Sequence, residues 1–532
     1  MNDNTLISKE YHKITKHSTV SIYSNVHFLD WKNKPLPFKF YKNLDYIYLP
    51  RNFPLPDQNV FVCLEKEQNA FKFCPTKLDL PRISQILFFS AGITRIFKIN
   101  NSTYYMRSAS ATGALYPIEI YFSCAQIQGL EDGIYHFCPG DFTLTKLYEG
   151  DFRYILYKLS GKNLKILQAP VTLIFTSVAW RNSWKYQTRS YRHWFWDAGT
   201  IISNYLALCM ANSFSTEIIL GFQDEDLNKL LSLKKREEAA IILSPLYIDK
   251  YLQTKTPDSY KKKMVEFETV PRSEYEVDYP EIWKVHQGSY LKNKNEVKKW
   301  LKSPNEKERY IEKLKKSDLT EELKKKGPSL KEVILKRGST REFAIKPITK
   351  LQLEHILYLT NKNIPFDFLV NHTLVDTYLI VNSVKDLEPG SYFYDKNSNK
   401  LDRLNAGNFR KVSEHLCLEQ KLFGNASIVC FFMADIDKIL NLLGNRGYRA
   451  VQLEGGIRIG KMYLAAYAHG LGASGSTFYD DEVTTFFLPH SINKEPITAI
   501  GIGHPSYVSK SGRILIKKLD RKTILKDLKI DI

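Results

Sequence analysis

The amino-acid sequence predicts an α+β protein made of two similar units in tandem, each with an antiparallel or mixed sheet. The chain has 532 residues, which is too long for a single hydrophobic core. Short motifs recur at one fixed distance along it, which is the pattern of an internal duplication. Within each unit these motifs follow the order helix, strand, strand, long buried helix and strand.

The repetition holds at five places, with the same spacing of 257 residues in each. Residues 130–135, Leu-Glu-Asp-Gly-Ile-Tyr, return as Leu-Glu-Pro-Gly-Ser-Tyr at 387–392. The other pairs are 150–153 with 407–410, 171–177 with 428–434, 189–192 with 446–449, and 197–199 with 454–456. Because chance rarely reproduces one spacing so often, we interpret the chain as a tandem duplication.

A helix-length segment follows the last repeated motif in each unit, at residues 200–213 and 457–470. Both segments are apolar nearly all round. We therefore expect them to be buried on most sides, inside a core or between subunits. Each unit then ends on a similar motif, Phe-Gln-Asp at 222–224 and Phe-Tyr-Asp at 478–480.

These features divide the chain into four predicted parts. Residues 1–75 are an N-terminal arm that wraps the first unit, and its prolines keep much of it extended. Residues 76–250 and 327–532 are the two units, the second with a C-terminal tail. Residues 251–326 are a Lys-rich helical connector expected on the surface, with a heptad-like spacing of Trp300, Leu301 and Leu314.

The formal charge of +19 admits acidic partners, an anionic cofactor or nucleic acid. Its lysines are spread along the chain without an Arg-rich tract, which is typical of a solvated surface, so no nucleic acid is expected. The seven cysteines form no Cys-x-x-Cys pair and the histidines have no ligand spacing. Buried thiols in a reducing compartment and no metal site are expected. Without a leader or a membrane-length apolar run, the protein is expected in the cytoplasm.

Residues 107–122 contain the strongest candidate for a ligand loop. Small and hydroxyl-bearing residues there allow the backbone to approach a ligand closely, and Pro117 then starts a strand. The candidate contacts are Ser108, Ser110, Thr112 and Gly113. A simple turn before a strand explains the segment equally well when it is taken alone.

A second candidate is a phosphate-binding motif formed by Arg337, Ser339 and Arg341. Two guanidinium groups on either side of a hydroxyl suit a terminal phosphate, because arginine offers rigid paired donors and keeps its charge. As an isolated pattern, the motif is more often an exposed basic turn.

Residues 108–117 resemble the loop Pro-Ser-x-Gly-Ala-Leu-Tyr-Pro of the SagB-type dehydrogenases, a branch of the FMN-dependent nitroreductase superfamily. Here the Pro and Ser positions hold Ser110 and Ala111, which leaves open which loop hydroxyl contacts the flavin. The resemblance covers most of residues 10–520. It implies tandem nitroreductase-like domains that form a pseudo-dimer within one chain and bind FMN between them.

The resemblance also implies contacts for the cofactor. The arginine motif matches the superfamily's FMN-phosphate motif, and the segment 471–476 resembles the turn whose amides meet the flavin edge. A late basic pair implies one more phosphate contact, with a solvated tail as its alternative. The implied FMN contacts outside the loop are Arg337, Ser339, Arg341, Ser474, Gly475, Ser476, Lys510 and Arg513.

Lys185 and Tyr186 resemble the Lys-Tyr pair that azoline-oxidising members of the family use beside the flavin. A partly desolvated lysine there can act as a base, and a tyrosine can relay or orient the proton. At the aligned position of the second unit, residues 442–443 are Leu-Leu, so that unit does not repeat the pair. Without the family alignment, such a dipeptide is nearly always a surface feature.

The two units have lost complementary parts of an ancestral site. In the first, Glu67, Asn69 and Phe71 replace the arginine motif, while in the second Val370 faces the position of Gly113. We therefore predict one complete site, built from both units, and one FMN in each chain.

The predicted function is FMN-dependent oxidation of thiazoline or oxazoline rings to thiazoles or oxazoles in a ribosomally made peptide. The partners expected are that peptide and a cyclodehydratase complex. A reductase of dehydroamino acids, ene bonds or nitro compounds is the first alternative, since fold resemblance cannot exclude it. A non-catalytic scaffold of the cyclodehydratase complex is the second.

Overall fold

The computed structural model describes residues 2–24, 27–65, 78–99, 102–247, 265–302, 321–368, 373–514 and 520–528. The helices are α1 Leu6–Ile14, α2 Thr19–Ser24, α3 Val60–Glu65, α4 Leu80–Ala91, α5 Arg153–Leu159, α6 Leu164–Gln168, α7 Ala179–Tyr186, α8 Ser190–Ala211, α9 Asp224–Leu230, α10 Pro280–Gly288, α11 Lys294–Leu301, α12 Glu321–Lys326, α13 Leu330–Lys336, α14 Lys350–Thr360, α15 Arg410–Leu416, α16 Lys421–Asn425, α17 Ile436–Leu443, α18 Asn445–Ala468, α19 Asp480–Phe486 and α20 Arg521–Asp527. The strands are β1 Tyr46–Tyr48, β2 Ile93–Ile99, β3 Ser102–Arg107, β4 Ile118–Cys124, β5 Gly133–Cys138, β6 Thr143–Glu149, β7 Val171–Val178, β8 Ser215–Thr216, β9 Glu238–Tyr247, β10 Phe343–Ala344, β11 Ile348–Thr349, β12 Asp376–Val381, β13 Val384–Lys385, β14 Gly390–Asp395, β15 Lys400–Ala406, β16 Ile428–Ala434, β17 Gly472–Ser476 and β18 Glu495–Pro505.

Two large sheets have the same strand order. The first runs β1-β6-β5-β4-β7-β9-β8, and the second runs β15-β14-β12-β16-β18-β10 with β17 also paired to β18. Thus β6-β5-β4-β7-β9-β8 corresponds strand for strand to β15-β14-β12-β16-β18-β17. Every strand pair within these two sheets is antiparallel. The mixed helix-and-sheet class predicted from the sequence is confirmed.

The strand after the candidate ligand loop lies in the middle of the first sheet. All seven residues of β4 are buried. Ile118, Ile120 and Phe122 pack into the main core, and Tyr121 on the other face packs into a second cluster. Because both faces of the sheet are covered, this strand gives the loop a rigid base.

The two long helices, α8 and α18, pack against each other at the centre of the molecule. They have 22 and 24 residues and begin about ten residues before the predicted apolar segments. Their backbones touch at a glycine crossing, where a Cβ on Gly199 would lie 2.4 Å from the carbonyl carbon of Gly456. Any side chain at Gly199 would therefore separate the helices. Among the described residues, no helix is both long and apolar enough to cross a membrane.

Two matching ion clusters join the halves. Arg189 and Arg192 at the start of α8 donate to Asp480, with N–O distances of 2.9 and 2.8 Å. Reciprocally, Arg446 and Arg449 in α18 each donate to Asp224, at 2.7 Å. All six side chains are buried. Each long helix is thus anchored to the closing motif of the other half.

The N-terminal arm, which was expected to wrap the first unit, also contacts the second. Tyr11 in α1 donates its hydroxyl to the Thr188 carbonyl at 2.7 Å. On the other side, the His12 Nδ1 lies 3.1 Å from the Tyr448 hydroxyl. The arm therefore packs at the junction of α8 and α18.

The connector, which was expected on the surface, buries one face of α11. Trp300 in α11 is 3% exposed, and its indole N–H donates to the Leu443 carbonyl at 2.9 Å. Val297, one turn earlier, is buried as well. This face of the amphipathic helix packs on both halves, since Val297 lies against Gly161 of the first, and the lysines of the helix occupy the other face. Leu314 lies outside the described residues.

Candidate functional site

The candidate ligand loop and the Lys-Tyr pair lie side by side. Gly113 has a φ of 61° and is exposed. A Cβ placed on it would lie 2.8 Å from the Tyr186 hydroxyl, so only glycine allows this approach. The fold therefore brings together two elements that are separated by more than sixty residues in the sequence.

One face of α8 holds the loop by hydrogen bonds to its backbone. The residues responsible are one or two helical turns apart, so their side chains share a face. The bonds are Thr112 N–H to Asp197 Oδ1 at 2.8 Å, Thr200 Oγ1 to the Ser110 carbonyl at 2.6 Å, and Asn204 Nδ2 to the Ser108 carbonyl at 3.2 Å. The shape of the loop is thus set by the long helix.

Asp197 is the charged member of this face. Its Oδ1 also accepts the Thr112 hydroxyl at 2.7 Å, and its Oδ2 accepts the Asn182 amide at 3.1 Å. Burial raises the pKa of Asp197 to about 6, while the hydrogen bonds from Thr112 and Asn182 oppose that increase. Asp197 belongs to a repeated sequence motif, but its contact with Thr112 could not be read from that motif.

The three hydroxyl groups of the candidate ligand loop are not equally accessible to a ligand. Ser108 is fully buried, and within the described part of the chain its Oγ has no hydrogen-bond partner. The Thr112 hydroxyl donates to Asp197. Ser110 is half-buried, so its side chain has the freest access to a ligand.

The arginine motif of the second half reaches the loop of the first. Arg337 follows α13 and is buried, and its Nε donates to the Ser108 carbonyl at 2.8 Å. Its Nη2 donates to the Arg107 carbonyl at 3.0 Å. Arg341 is exposed, and its backbone N–H donates to the Tyr507 hydroxyl at 3.0 Å.

Tyr463 in α18 links the arginine motif to the small-residue segment 471–476. It was not identified as a site residue from the sequence. Its hydroxyl lies 3.0 Å from Ser339 Oγ and accepts the Gly475 N–H at 2.8 Å. Its ring also lies 5.7 Å below the Arg337 guanidinium. A tyrosine inside a helix that is apolar nearly all round was the available signal, because a buried hydroxyl needs a partner.

The small-residue segment forms a strand, and its interpretation as a turn is wrong. Gly472–Ser476 pairs with β18, which places Gly475 opposite Ile500. Ser474 is buried, and Ser476 donates its hydroxyl to the Thr477 carbonyl at 2.6 Å. The nearest atoms to a Cβ on Gly475 would be 3.8 Å away, so the surface above it is open.

The basic pair Lys510 and Arg513 lies in a segment that runs along the boundary between the two halves. Lys510 and Arg513 are both exposed. The Arg513 backbone N–H donates to the Thr94 carbonyl of the first half, and the Gly512 N–H donates to the Leu335 carbonyl of the second, each at 2.8 Å. The segment therefore passes beside the helix that leads into the arginine motif.

Lys185 is exposed, whereas the family resemblance implied a partly desolvated lysine beside bound flavin. It lies in the last turn of α7 on the solvent side, with its Nζ 5.3 Å from the centre of the Tyr186 ring. Tyr186 is half-buried, and its ring meets the edge of His193 at 4.5 Å. Burial and the nearby Asp197 carboxylate raise the pKa of Tyr186.

The face of α18 that corresponds to the loop-binding face of α8 contacts backbone groups of the second half instead of a ligand loop. Glu454 repeats the role of Asp197, since its Oε2 accepts the Leu374 N–H at 2.8 Å. Arg458 and Lys461, however, stand where α8 has Ile201 and Asn204. The Arg458 Nη1 donates to the carbonyls of residues 360 and 362 at 2.6 and 2.7 Å. Glu67, Asn69, Phe71 and Val370 lie outside the described residues.

Comparisons with known proteins agree with this architecture. The model of the "Nitroreductase family" matches residues 334–504. Residues 334–504 are a nitroreductase-family domain. This nitroreductase-family domain contains the arginine motif, Tyr463 and Gly475, and so most of the second half's share of the candidate site.

Two proteins, both named as putative nitroreductases, are similar to this chain. One, from Methanocaldococcus jannaschii, is 25% identical over 185 residues, which cover 34% of this chain and 87% of that protein. The other is a crystal structure from Anabaena variabilis with 25% identity and a TM-score of 0.71. The match covers 94% of this chain and 99% of that one, so the similarity of fold extends well beyond the nitroreductase-family domain.

Proposed function

We propose that the protein is an FMN-dependent dehydrogenase of the SagB type. It would oxidise thiazoline or oxazoline rings in a ribosomally made peptide to thiazoles or oxazoles. The observation that carries this proposal is the contact between Tyr186 of the Lys-Tyr pair and Gly113 of the candidate ligand loop. A cyclodehydratase complex would supply the azoline substrate.

The residues present fit an FMN molecule. Among the described residues, neither Arg337 nor Arg341 has a carboxylate within ion-pair distance, so both can pair with a phosphate. The surfaces above Gly113 and Gly475 are exposed and can accept a flat ring. Ser110 would contact the cofactor from the first half. FMN, when bound, supplies a hydride acceptor.

The oxidation removes a hydride and a proton from the azoline ring. The hydride would go to the acceptor that the bound flavin supplies, and the Lys-Tyr pair would carry the proton away from the ring. Tyr186 lies against the loop, whereas Lys185 faces solvent, so Tyr186 would meet the ring and Lys185 would pass the proton to water.

We further propose that the halves form a pseudo-dimer with one cofactor site. Three observations support this: the matching sheets, the reciprocal ion clusters, and the Arg337 contact with the first-half loop. The face of α18 around Arg458 is occupied by backbone carbonyls of the second half itself, which opposes a second cofactor site there.

One FMN per chain is therefore the expected stoichiometry. Arg341→Ala should remove most of the bound flavin, because one or two charge-assisted hydrogen bonds to the phosphate are lost. The measurement is the absorbance of flavin released by denaturation, divided by the protein concentration.

Three outcomes would contradict this proposal. A flavin-to-chain ratio near two would contradict the single site, and a colourless wild-type protein would favour the non-catalytic scaffold. NAD(P)H-dependent reduction without azoline oxidation would favour the reductase.

Asp197→Ala should weaken FMN binding about tenfold, since Thr112 loses a charged hydrogen-bond acceptor and the loop loses its fixed shape. The dissociation constant can be measured from the quenching of flavin fluorescence. Glu454→Ala is the matched control, because this carboxylate holds the corresponding segment of the second half. Equal weakening by both substitutions would show a general loss of structure.

A further inference from the structure

Arg95 belongs to the first half but contacts the second half beside its arginine motif, residues 337–341. It belongs to β2 and is half-buried. Its Nη2 donates to the carbonyls of Leu335 and Lys336, at 3.0 and 3.1 Å. A Cβ on Gly338 would lie 3.2 Å from Arg95 Nη1, so the guanidinium covers the turn between Arg337 and Ser339.

Arg95 and Arg337 each donate hydrogen bonds to backbone carbonyls of the half to which they do not belong. Arg95 binds backbone carbonyls of the second half, while Arg337 binds the carbonyls of Arg107 and Ser108 in the first. Each keeps N–H groups that these bonds do not use. The Arg95 Nε is buried without a hydrogen-bond partner in the described part of the chain.

This pair of positive charges has no compensating carboxylate in the described part of the chain. Among the described residues, neither Arg95 nor Arg337 is within ion-pair distance of an Asp or Glu. Burial lowers the pKa of Arg95, and the neighbouring Arg337 lowers it further. Two adjacent cations with unused donors and no carboxylate are the environment that an anion stabilises.

We propose that Arg95 is a phosphate-binding residue of the candidate site, so that the anion is held from both halves. The ligand class is a phosphate monoester, and the proposed function makes it the terminal phosphate of FMN. Arg95 stands in a strand remote in sequence from the arginine motif, where no sequence pattern marks it as a phosphate contact.

The test is the affinity of Arg95→Gln for FMN and for riboflavin, which lacks the phosphate. Glutamine carries no charge and is shorter than arginine, so the comparison with riboflavin separates a lost phosphate contact from lost support of the turn. FMN affinity should fall about 10- to 100-fold, as expected for a lost charge-assisted hydrogen bond, while riboflavin affinity stays unchanged. The control is Arg410→Gln, because Arg410 also donates to a carbonyl, that of Gly424 at 2.8 Å, in another part of the second half.

Equal loss for both flavins would show that Arg95 only supports the turn, and unchanged FMN affinity would show that it makes no phosphate contact. Either result overturns the proposal. If the wild-type protein binds no flavin, the proposed function fails separately. Inorganic phosphate then serves as the probe: stabilisation of the wild type against heat, absent in Arg95→Gln, would support the anion site, and equal stabilisation would overturn it.

Discussion

Asp480→Asn is expected to lower the free energy of unfolding by about 3–5 kcal/mol, the usual effect of breaking a buried ion pair from one side. Asp480 is fully buried, and its two carboxylate oxygens accept Arg189 and Arg192 separately. Its Oδ2 also accepts the His17 N–H at 2.8 Å. The substitution leaves two buried guanidinium groups without their counter-charge. Denaturant unfolding followed by circular dichroism would measure the effect.

The neighbouring Asp481→Asn is the control. Asp481 is 73% exposed in its side chain and pairs only with Lys16 among the described residues, so a loss below about 1 kcal/mol is expected. Burial opposes ionisation of Asp480, but Arg189 and Arg192 outweigh it and hold its pKa well below the ordinary value. The stabilisation is therefore present above the pKa of an unfolded aspartate and is lost as the pH falls below it. Similar losses for the two variants would contradict the role of the cluster.

Tyr186→Phe and Lys185→Ala are each expected to slow azoline oxidation about 100-fold or more while FMN stays bound. The reason is that both lose a group that moves the ring proton, whereas neither belongs to the proposed phosphate contacts. Single-turnover reduction of bound FMN by a thiazoline peptide, followed by absorbance, separates this step from reoxidation. Flavin content would be measured on the same samples.

Tyr157 and Lys158 in α5 provide a matched control. They form another adjacent tyrosine and lysine, with the tyrosine half-buried and the lysine exposed, in a helix away from the candidate ligand loop. Tyr157→Phe and Lys158→Ala should leave the rate unchanged. Near-normal oxidation in both Tyr186→Phe and Lys185→Ala would exclude this pair from the chemistry.

Sequence patterns predicted the local elements well. The 257-residue repetition corresponds to two sheets of the same strand order, and all but the last two residues of each apolar segment lie in α8 or α18. These predictions succeeded because strand and helix periodicity depend on neighbouring residues. The differences came from contacts distant in sequence: Trp300 is buried against the second half, and Gly475 lies in a strand because its segment pairs with β18.

The sequence by itself determined the α+β class and the repeated order of elements, and it supplied the residues that we propose for a flavin phosphate. Only the tertiary structure decided which of these residues meet. Arg95 reaches the turn at Gly338, and Arg337 reaches Ser108, because the crossing at Gly199 and the reciprocal ion clusters set how the halves dock. Such contacts join residues more than two hundred positions apart, and their geometry depends on packing that no local pattern contains.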